Sequence, residues 1–160
     1  MFKIGDYITH PMHGAGVIES IVTKKINGSQ RDYYVLKLPV GDMVVMVPVS
    51  GCEDIGVRSI ISRSEAEKLF SAFSEIEISM TQNWNKRYRE NMDKIKSGNL
   101  LDVASVVKGL MCRDSERGIS TSERKMLHSA KQILISELVI ATDMDYDGVE
   151  KRLCAALKEG

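Results

Sequence analysis

The spacing of apolar residues changes once along this chain, near Gly56, from a pattern typical of strands to one typical of helices. Before that residue the apolar runs are short, rich in β-branched residues and separated by tight turns. After it, apolar residues recur at every third or fourth position. A chain of 160 residues with one such change predicts a two-domain α+β protein, in which a small β unit precedes a helical unit.

Residues 1–55 are predicted to form a small antiparallel β-barrel of the SH3-like or Tudor-like type, because several short strands alternate with tight turns. The clearest turn is Asn27-Gly28, since both positions of a two-residue hairpin turn need positive φ. The returning strand is predicted over residues 33–38. Such a unit has a modest core and is expected to gain stability by packing on the domain that follows.

Residues 60–160 are predicted to form a compact all-α helical bundle. Two helix starts have the residue spacing of a capping box. In a capping box the side chain of the N-cap residue accepts a hydrogen bond from the backbone N–H three residues later, and the side chain of that later residue accepts one from the backbone N–H of the N-cap. The two pairs are Ser62 with Glu65 in the first helix and Ser120 with Glu123 in the fourth. The predicted architecture is therefore a β-barrel followed by five helices.

The chain contains 22 basic and 22 acidic residues, so its net charge is zero. A neutral protein is expected to bind nucleic acid weakly by itself, which makes any DNA contact local or dependent on a partner. No apolar run approaches bilayer length, and the start at residues 1–6 lacks the apolar core of a signal peptide. We therefore expect a cytoplasmic protein with no membrane contact, in which Cys52, Cys112 and Cys154 are reduced thiols.

The single tryptophan, Trp84, lies in the most basic short segment of the chain, at the start of the second predicted helix. From Trp84 to Lys96, five cations and two anions give a net charge of +3. One stripe of that helix is apolar, and a stripe at helical spacing is usually core. Its members are Trp84, Tyr88, Met92 and Ile95. In the other interpretation Trp84 projects outward from the end of the stripe, flanked by Arg87 and Arg89, and acts as a wedge held by phosphate contacts.

Three further sites have both a functional and a structural interpretation. Arg124 and Lys125 in the first turn of the fourth predicted helix oppose the helix dipole, so they are either solvated or bind an external anion. His10 and His13 lack a convincing third ligand nearby, so we expect a structural loop and no metal. His128 has no obvious serine or cysteine partner and is expected to be an ordinary helix residue.

The chain resembles the CarD/CdnL family of bacterial transcription regulators along essentially its whole length. A similar N-terminal module occurs in the transcription-repair coupling factor, but here the segment that follows it is predicted to be a helical bundle and not a helicase. The tryptophan segment, joined to a barrel that starts with Gly-Asp, is the most specific part of the resemblance. The matching stretches are residues 2–6, 11–15, 42–48, 83–91, 113–118 and 123–127.

The resemblance implies that the Tudor-like domain binds the β subunit of RNA polymerase and that the helical domain lies over the upstream edge of the transcription bubble. Trp84 would enter the minor groove there and stabilise the open promoter complex, with little sequence specificity. The implied phosphate contacts are Lys86, Arg87 and Arg89, with Arg124 or Lys125. The implied polymerase contacts are Lys24, Lys25, Ile26 and Met46. No enzymatic activity, cofactor or small-molecule substrate is implied.

Family members often have arginine at the positions of Lys24 and Met46. Lysine keeps the charge but loses the bidentate fork, whereas Met46 loses the charge altogether. A protein–protein adaptor, whose barrel binds a peptide edge and whose helical domain does not contact DNA, is the alternative hypothesis. In that case Trp84 would be buried. A third hypothesis is a hydrolase, which would use His10, His13 or Cys52.

Overall fold

The structure is a computed structural model that describes residues 1–78 and 80–159, so residue 79 and the last residue of the predicted helical domain lie outside the described part. The strands come first and the helices follow, which confirms the predicted α+β fold class. The strands are β1 (Tyr7–His10), β2 (Gly14–Ile26), β3 (Ser29–Leu38), β4 (Met43–Pro48) and β5 (Arg58–Ser59). The helices are α1 (Arg63–Phe73), α2 (Trp84–Lys96), α3 (Leu100–Arg117), α4 (Thr121–Thr142) and α5 (Tyr146–Glu159).

The five described strands form one antiparallel sheet in the order β4-β3-β2-β1-β5. The hairpin between β2 and β3 turns at Asn27 and Gly28, whose φ angles are 51° and 81°. A turn of this hand matches the twist of the two strands. Because it places Ile26 opposite Ser29, β3 begins before Tyr33, where the apolar pattern placed the returning strand. The predicted turn is confirmed, and the hairpin is longer than predicted because its tip is polar.

The sheet continues beyond residue 55, where the first domain was predicted to end. β5 pairs with β1, with Ile8 opposite Ser59 and Thr9 opposite Arg58. A strand of two residues has no alternation of its own, so the sequence pattern did not reveal it. The β unit therefore extends to Ser59, and residues 60–62 connect it to α1.

The helices bury a separate apolar core, to which α2 contributes Ile95. At the start of α1 the predicted capping box is confirmed: Ser62 Oγ accepts from Glu65 N at 3.1 Å and Glu65 Oε1 accepts from Ser62 N at 3.2 Å. At the start of α4, Ser120 Oγ accepts from Glu123 N at 3.2 Å, but the Glu123 carboxylate binds an arginine of α2 instead. Only half of the second predicted capping box therefore forms, because the Glu123 carboxylate has a tertiary partner that Glu65 lacks.

Helix α4 packs against β2, so the sheet and the helical bundle meet along a buried seam. Gly14 has a φ of +98°, and a Cβ there would lie 2.6 Å from Ser136 Oγ. Ser136 Oγ accepts from Ala15 N at 2.9 Å and donates to the carbonyl of Ile133 at 2.8 Å. Glycine at position 14 thus lets the strand approach α4 closely enough for this contact.

Replacing Gly14 with alanine is expected to lower the free energy of unfolding by about 2 kcal/mol, because the new Cβ strains the backbone and displaces a buried hydroxyl. Urea denaturation measures this loss. Gly41→Ala is the matched control, since Gly41 has a φ of +86° and nothing within 4 Å of its added Cβ. The control is expected to cost about 1 kcal/mol, from backbone strain alone. Equal losses in the two variants would contradict the role of the contact with α4.

Candidate nucleic-acid interface

Trp84 is the first residue of α2, and 41% of its surface is exposed. Asn83 caps this helix by accepting a hydrogen bond from Lys86 N at 3.0 Å. The indole stacks on Tyr88, one turn further along the helix, with ring centroids 5.3 Å apart and planes inclined by 22°. The indole therefore lies on the surface with one face supported by a second aromatic ring.

The apolar stripe of α2 is core along most of its length. Ile95 is buried, and Tyr88 and Met92 are partly buried and pack against the helical core. Trp84 alone among the four stripe residues is exposed. The stripe is therefore core except at Trp84, where it continues past the surface that it packs against, and the role of Trp84 as a wedge stays a prediction.

A hydrogen bond connects the indole to another helix. Trp84 Nε1 donates to Ser120 Oγ at 3.2 Å, and Ser120 is the N-cap of α4. The starts of α2 and α4 therefore lie side by side. Arg124 and Lys125, in the first turn of α4, are brought to the same end of the bundle as Trp84 and Lys86. Two helix N-termini that meet in this way present their positive dipole ends to the same region of surface.

Arg87 is not part of this surface. It is 3% exposed, and its Nε and Nη2 donate to the two carboxylate oxygens of Glu123 at 2.9 and 3.2 Å. Its Nη1 donates to the carbonyl oxygens of Thr81 and Gln82. The prediction that Arg87 contacts phosphate is therefore wrong, because every guanidinium nitrogen already has an acceptor within the protein. Hydrogen bonds from Arg87 hold the pKa of the Glu123 carboxyl below its ordinary value.

The other four predicted phosphate contacts are all exposed: Lys86, Arg89, Arg124 and Lys125. Lys86 Nζ lies 4.0 Å from Glu90 Oε1, and Arg124 Nη2 lies 3.4 Å from Asp114 Oδ1. Exposed pairs of this kind contribute little free energy, so another anion can replace the carboxylate at small cost. These four side chains are placed where phosphate can reach them, and their role in DNA binding stays a prediction.

The four predicted polymerase contacts are exposed on the sheet: Lys24, Lys25, Ile26 and Met46. Met46 of β4 lies opposite Val35 of β3, and Lys24 of β2 lies opposite Arg31 of β3. Residues opposite each other in antiparallel strands share a face, and so do residues an even number apart along one strand. All of the predicted contacts except Lys25 therefore belong to one face of the sheet.

Arg31 belongs to this face as well, although no sequence pattern singled it out. It is exposed and directly opposite Lys24, so it brings a guanidinium beside that lysine. The signal that could have found it is the turn at Asn27-Gly28. A two-residue turn fixes the register, and counting outward from it places Arg31 opposite Lys24.

His10 is the last residue of β1, and His13 lies in the turn that follows it. The two imidazole rings lie 4.5 Å apart, and His10 Nδ1 accepts a hydrogen bond from Met12 N at 3.0 Å. Burial, followed by the charge of His13, lowers the pKa of His10, which favours its neutral form. Within residues 1–78 and 80–159, no group of three or more His, Cys, Asp or Glu could hold a metal ion.

None of the described helices is both long enough and apolar enough to cross a bilayer.

Comparison with known proteins agrees with the order of the two structural units. Residues 2–61 match the family described as "CarD-like/TRCF RID domain", and residues 68–154 match the family described as "CarD, C-terminal domain". A protein of Bacillus subtilis (strain 168) named "Putative transcription factor YdeB" is 38% identical over 140 residues, which cover 88% of this chain and 92% of that protein. The chain therefore belongs to the CarD/CdnL family of transcription factors.

Proposed function

We propose that this protein binds the β subunit of RNA polymerase through its sheet and stabilises the open promoter complex by inserting Trp84 into the minor groove at the upstream edge of the bubble. It acts in the cytoplasm as a non-enzymatic regulator without a cofactor. The observation that carries the proposal is the exposed indole at the start of α2, supported by Tyr88 and hydrogen-bonded to Ser120.

The energetics of a wedge suit the edge of a bubble. Inserting an apolar side chain between base pairs costs a few kcal/mol of unstacking in intact duplex. At the upstream edge of a bubble less unstacking free energy is needed, because the adjacent base pairs have already opened. The Trp84 ring is held between Tyr88 and Ser120, so it loses little further side-chain freedom on insertion.

Phosphate contacts would hold the wedge in place. Lys86 and Arg89 come from α2, whereas Arg124 and Lys125 come from the first turn of α4. Lysine and arginine contacts to phosphate fix orientation on DNA and carry no direct sequence information. We therefore expect the protein to act on promoters of differing upstream sequence.

The polymerase contact supplies the affinity that a neutral chain lacks for DNA. A protein with zero net charge gains little from counterion release, but tethering to polymerase raises the effective concentration of a weak DNA contact. The sheet face offers cations at Lys24 and Arg31 and an apolar part at Met46. We infer that Arg31 supplies the guanidinium that other family members carry at the position of Lys24, while the contact near Met46 is apolar.

The alternative of an adaptor without DNA contact predicts a buried tryptophan. The exposure of Trp84, together with exposed cations at the starts of both α2 and α4, supports the DNA contact over that alternative.

Trp84→Ala is expected to shorten the lifetime of the open promoter complex about tenfold, because the wedge contributes on the order of 1.4 kcal/mol to that complex. The lifetime is measured by competitor challenge of preformed complexes, with the RNA polymerase holoenzyme of the same organism. Binding of the variant to polymerase alone should be unchanged, since Trp84 lies outside the sheet.

Leu101→Ala is the matched control for this experiment. Leu101 is 51% exposed in the first turn of α3, so the change also removes a large exposed apolar side chain from a helix start. It should leave the open-complex lifetime at the parent value. Equal lifetimes for Trp84→Ala and the parent, with both bound to polymerase, would contradict the proposed function.

A further inference from the structure

We propose that Ser120 is a positioning residue, which fixes the orientation of the Trp84 indole through a chain of hydrogen bonds that starts at the buried Arg87. In this chain Arg87 and Ser120 both donate to the Glu123 carboxylate, and Trp84 donates to Ser120. The inference rests on the proposed function of Trp84 and assigns a role in it to a residue outside the predicted DNA contacts.

The hydroxyl of Ser120 uses its full hydrogen-bonding capacity. A serine hydroxyl has one proton to donate and two lone pairs with which to accept. Ser120 Oγ donates to Glu123 Oε1 at 3.4 Å, and it accepts from Glu123 N and from Trp84 Nε1, both at 3.2 Å. The position of the indole N–H is therefore matched to the one lone pair that the helix cap leaves free.

The charge of Glu123 fixes the direction of this arrangement. An ionised carboxylate only accepts hydrogen bonds, and the bidentate contact with Arg87 favours the ionised form. The Ser120 proton is therefore directed toward Glu123, which leaves the oxygen to act as the acceptor for the indole N–H. Arg87, although buried, thereby orders a side chain on the surface.

The start of α1 has the same serine–glutamate spacing, but among the described residues its serine and glutamate make no hydrogen bond with a side chain of another helix, so it serves as a comparison. There the Glu65 carboxylate turns back and accepts from both the backbone N and the hydroxyl of Ser62, so the capping box closes on itself. At the start of α4 the glutamate turns to α2 instead, and the serine accepts from a side chain 36 residues away in sequence. A helix cap alone does not require this second arrangement.

Two contacts together fix the ring. Stacking on Tyr88 restrains the face of the indole, and the bond to Ser120 restrains the edge that carries Nε1. Rotation about either side-chain torsion would break at least one of them. An aromatic side chain that is ordered before binding loses less freedom when it binds, which strengthens the complex.

The test is Ser120→Gly in the full chain, because glycine at an N-cap weakens a helix only slightly and removes the hydroxyl. Trp84 is the only tryptophan, so its indole N–H signal in nitrogen-15 NMR and its fluorescence anisotropy need no assignment. We expect faster exchange of the indole N–H with water, lower anisotropy and an open-complex lifetime about threefold shorter, as the loss of one hydrogen bond implies. Ser120→Thr, which keeps the hydroxyl, should restore the parent behaviour.

Ser62→Gly is the matched control, since it removes the N-cap hydroxyl of α1 and touches neither Trp84 nor Glu123. It should change neither the indole signals nor the lifetime. Indole signals unchanged by Ser120→Gly would overturn the inference. If the open-complex lifetime falls in Trp84→Ala but is the same in Ser120→Gly as in Ser62→Gly, the role of Ser120 is overturned while the proposed function of Trp84 stands. A lifetime insensitive to Trp84→Ala would overturn the proposed function and, with it, this role of Ser120.

Discussion

Arg87→Met is expected to lower the free energy of unfolding by about 4 kcal/mol, because removing one partner of a buried ion pair leaves the other charge unpaired in the interior. In this protein the groups that lose their hydrogen-bond donor are the Glu123 carboxylate, which is 2% exposed, and the carbonyl oxygens of Thr81 and Gln82. Urea denaturation at neutral pH measures the loss. A loss below about 1 kcal/mol, the range of exposed pairs, would contradict the burial of this pair.

The double variant Arg87→Met, Glu123→Leu separates the cost of an unpaired charge from the loss of a favourable interaction. Replacing both members of a buried pair by apolar residues of similar size is often nearly neutral. We therefore expect the second substitution to restore much of the stability lost in the first, and a double-mutant cycle measures the coupling. Lys86→Met is the matched surface control, since Lys86 is exposed and its pair with Glu90 is long at 4.0 Å.

The stability that the Arg87–Glu123 pair contributes is expected to depend on pH. Hydrogen bonds from Arg87 depress the pKa of Glu123 in the folded state, below the ordinary glutamate value of about 4.3 in the unfolded chain. The pair therefore contributes its full stability above that ordinary value, and the contribution is lost as the pH falls through the lower, folded value. In Arg87→Met the buried carboxyl is unpaired and gains by protonation. The stability difference between parent and variant should therefore begin to shrink above the ordinary value of about 4.3, as the variant's carboxyl takes up a proton, and should shrink further as the pH falls through the lower folded value of the parent.

Glu137→Gln is expected to cost about 3 kcal/mol, because Glu137 holds the sheet, the linker and α4 together. It is 1% exposed, and its carboxylate accepts from Arg58 Nη1 and Nη2 at 2.7 and 3.0 Å and from Ile61 N at 2.8 Å. The effect is smaller than for Arg87→Met because the Arg58 side chain is 32% exposed, so water can solvate it once the charge of its partner is gone. Urea denaturation measures the cost.

Glu67→Gln is the matched control for Glu137→Gln. Glu67 also binds an arginine with both oxygens, at 3.1 and 2.8 Å from Arg152, but the two side chains are only partly buried, with 46% and 40% of their surfaces exposed. Its denaturation midpoint should stay close to that of the parent, because water and salt screen a pair that is this accessible to solvent. In Glu137→Gln, the amides of β5 should also exchange faster with solvent, since Arg58 belongs to that strand. Equal effects of the two substitutions would contradict the linking role of Glu137.

Local patterns were sufficient for most of the fold. Strand and helix periods, the turn at Asn27-Gly28 and the N-cap serines act over a few neighbouring residues, so the sequence states them directly. The position of Trp84 at the end of its stripe left both a buried and an exposed ring open, and the structure shows it exposed. The resemblance added the family, and the matches over residues 2–61 and 68–154 confirmed it.

The sequence by itself therefore determined the five helices, the four longer strands and their order, and which aromatic residue lies at a helix start. Only the tertiary structure decided which of the neighbouring cations is on the surface. Arg87 and Arg89 have the same charge and lie two positions apart, yet Arg87 is buried against Glu123 while Arg89 faces solvent. The physical reason is that a charge can be buried only where a partner satisfies it, and the partner of Arg87 comes from a helix 36 residues further along the chain.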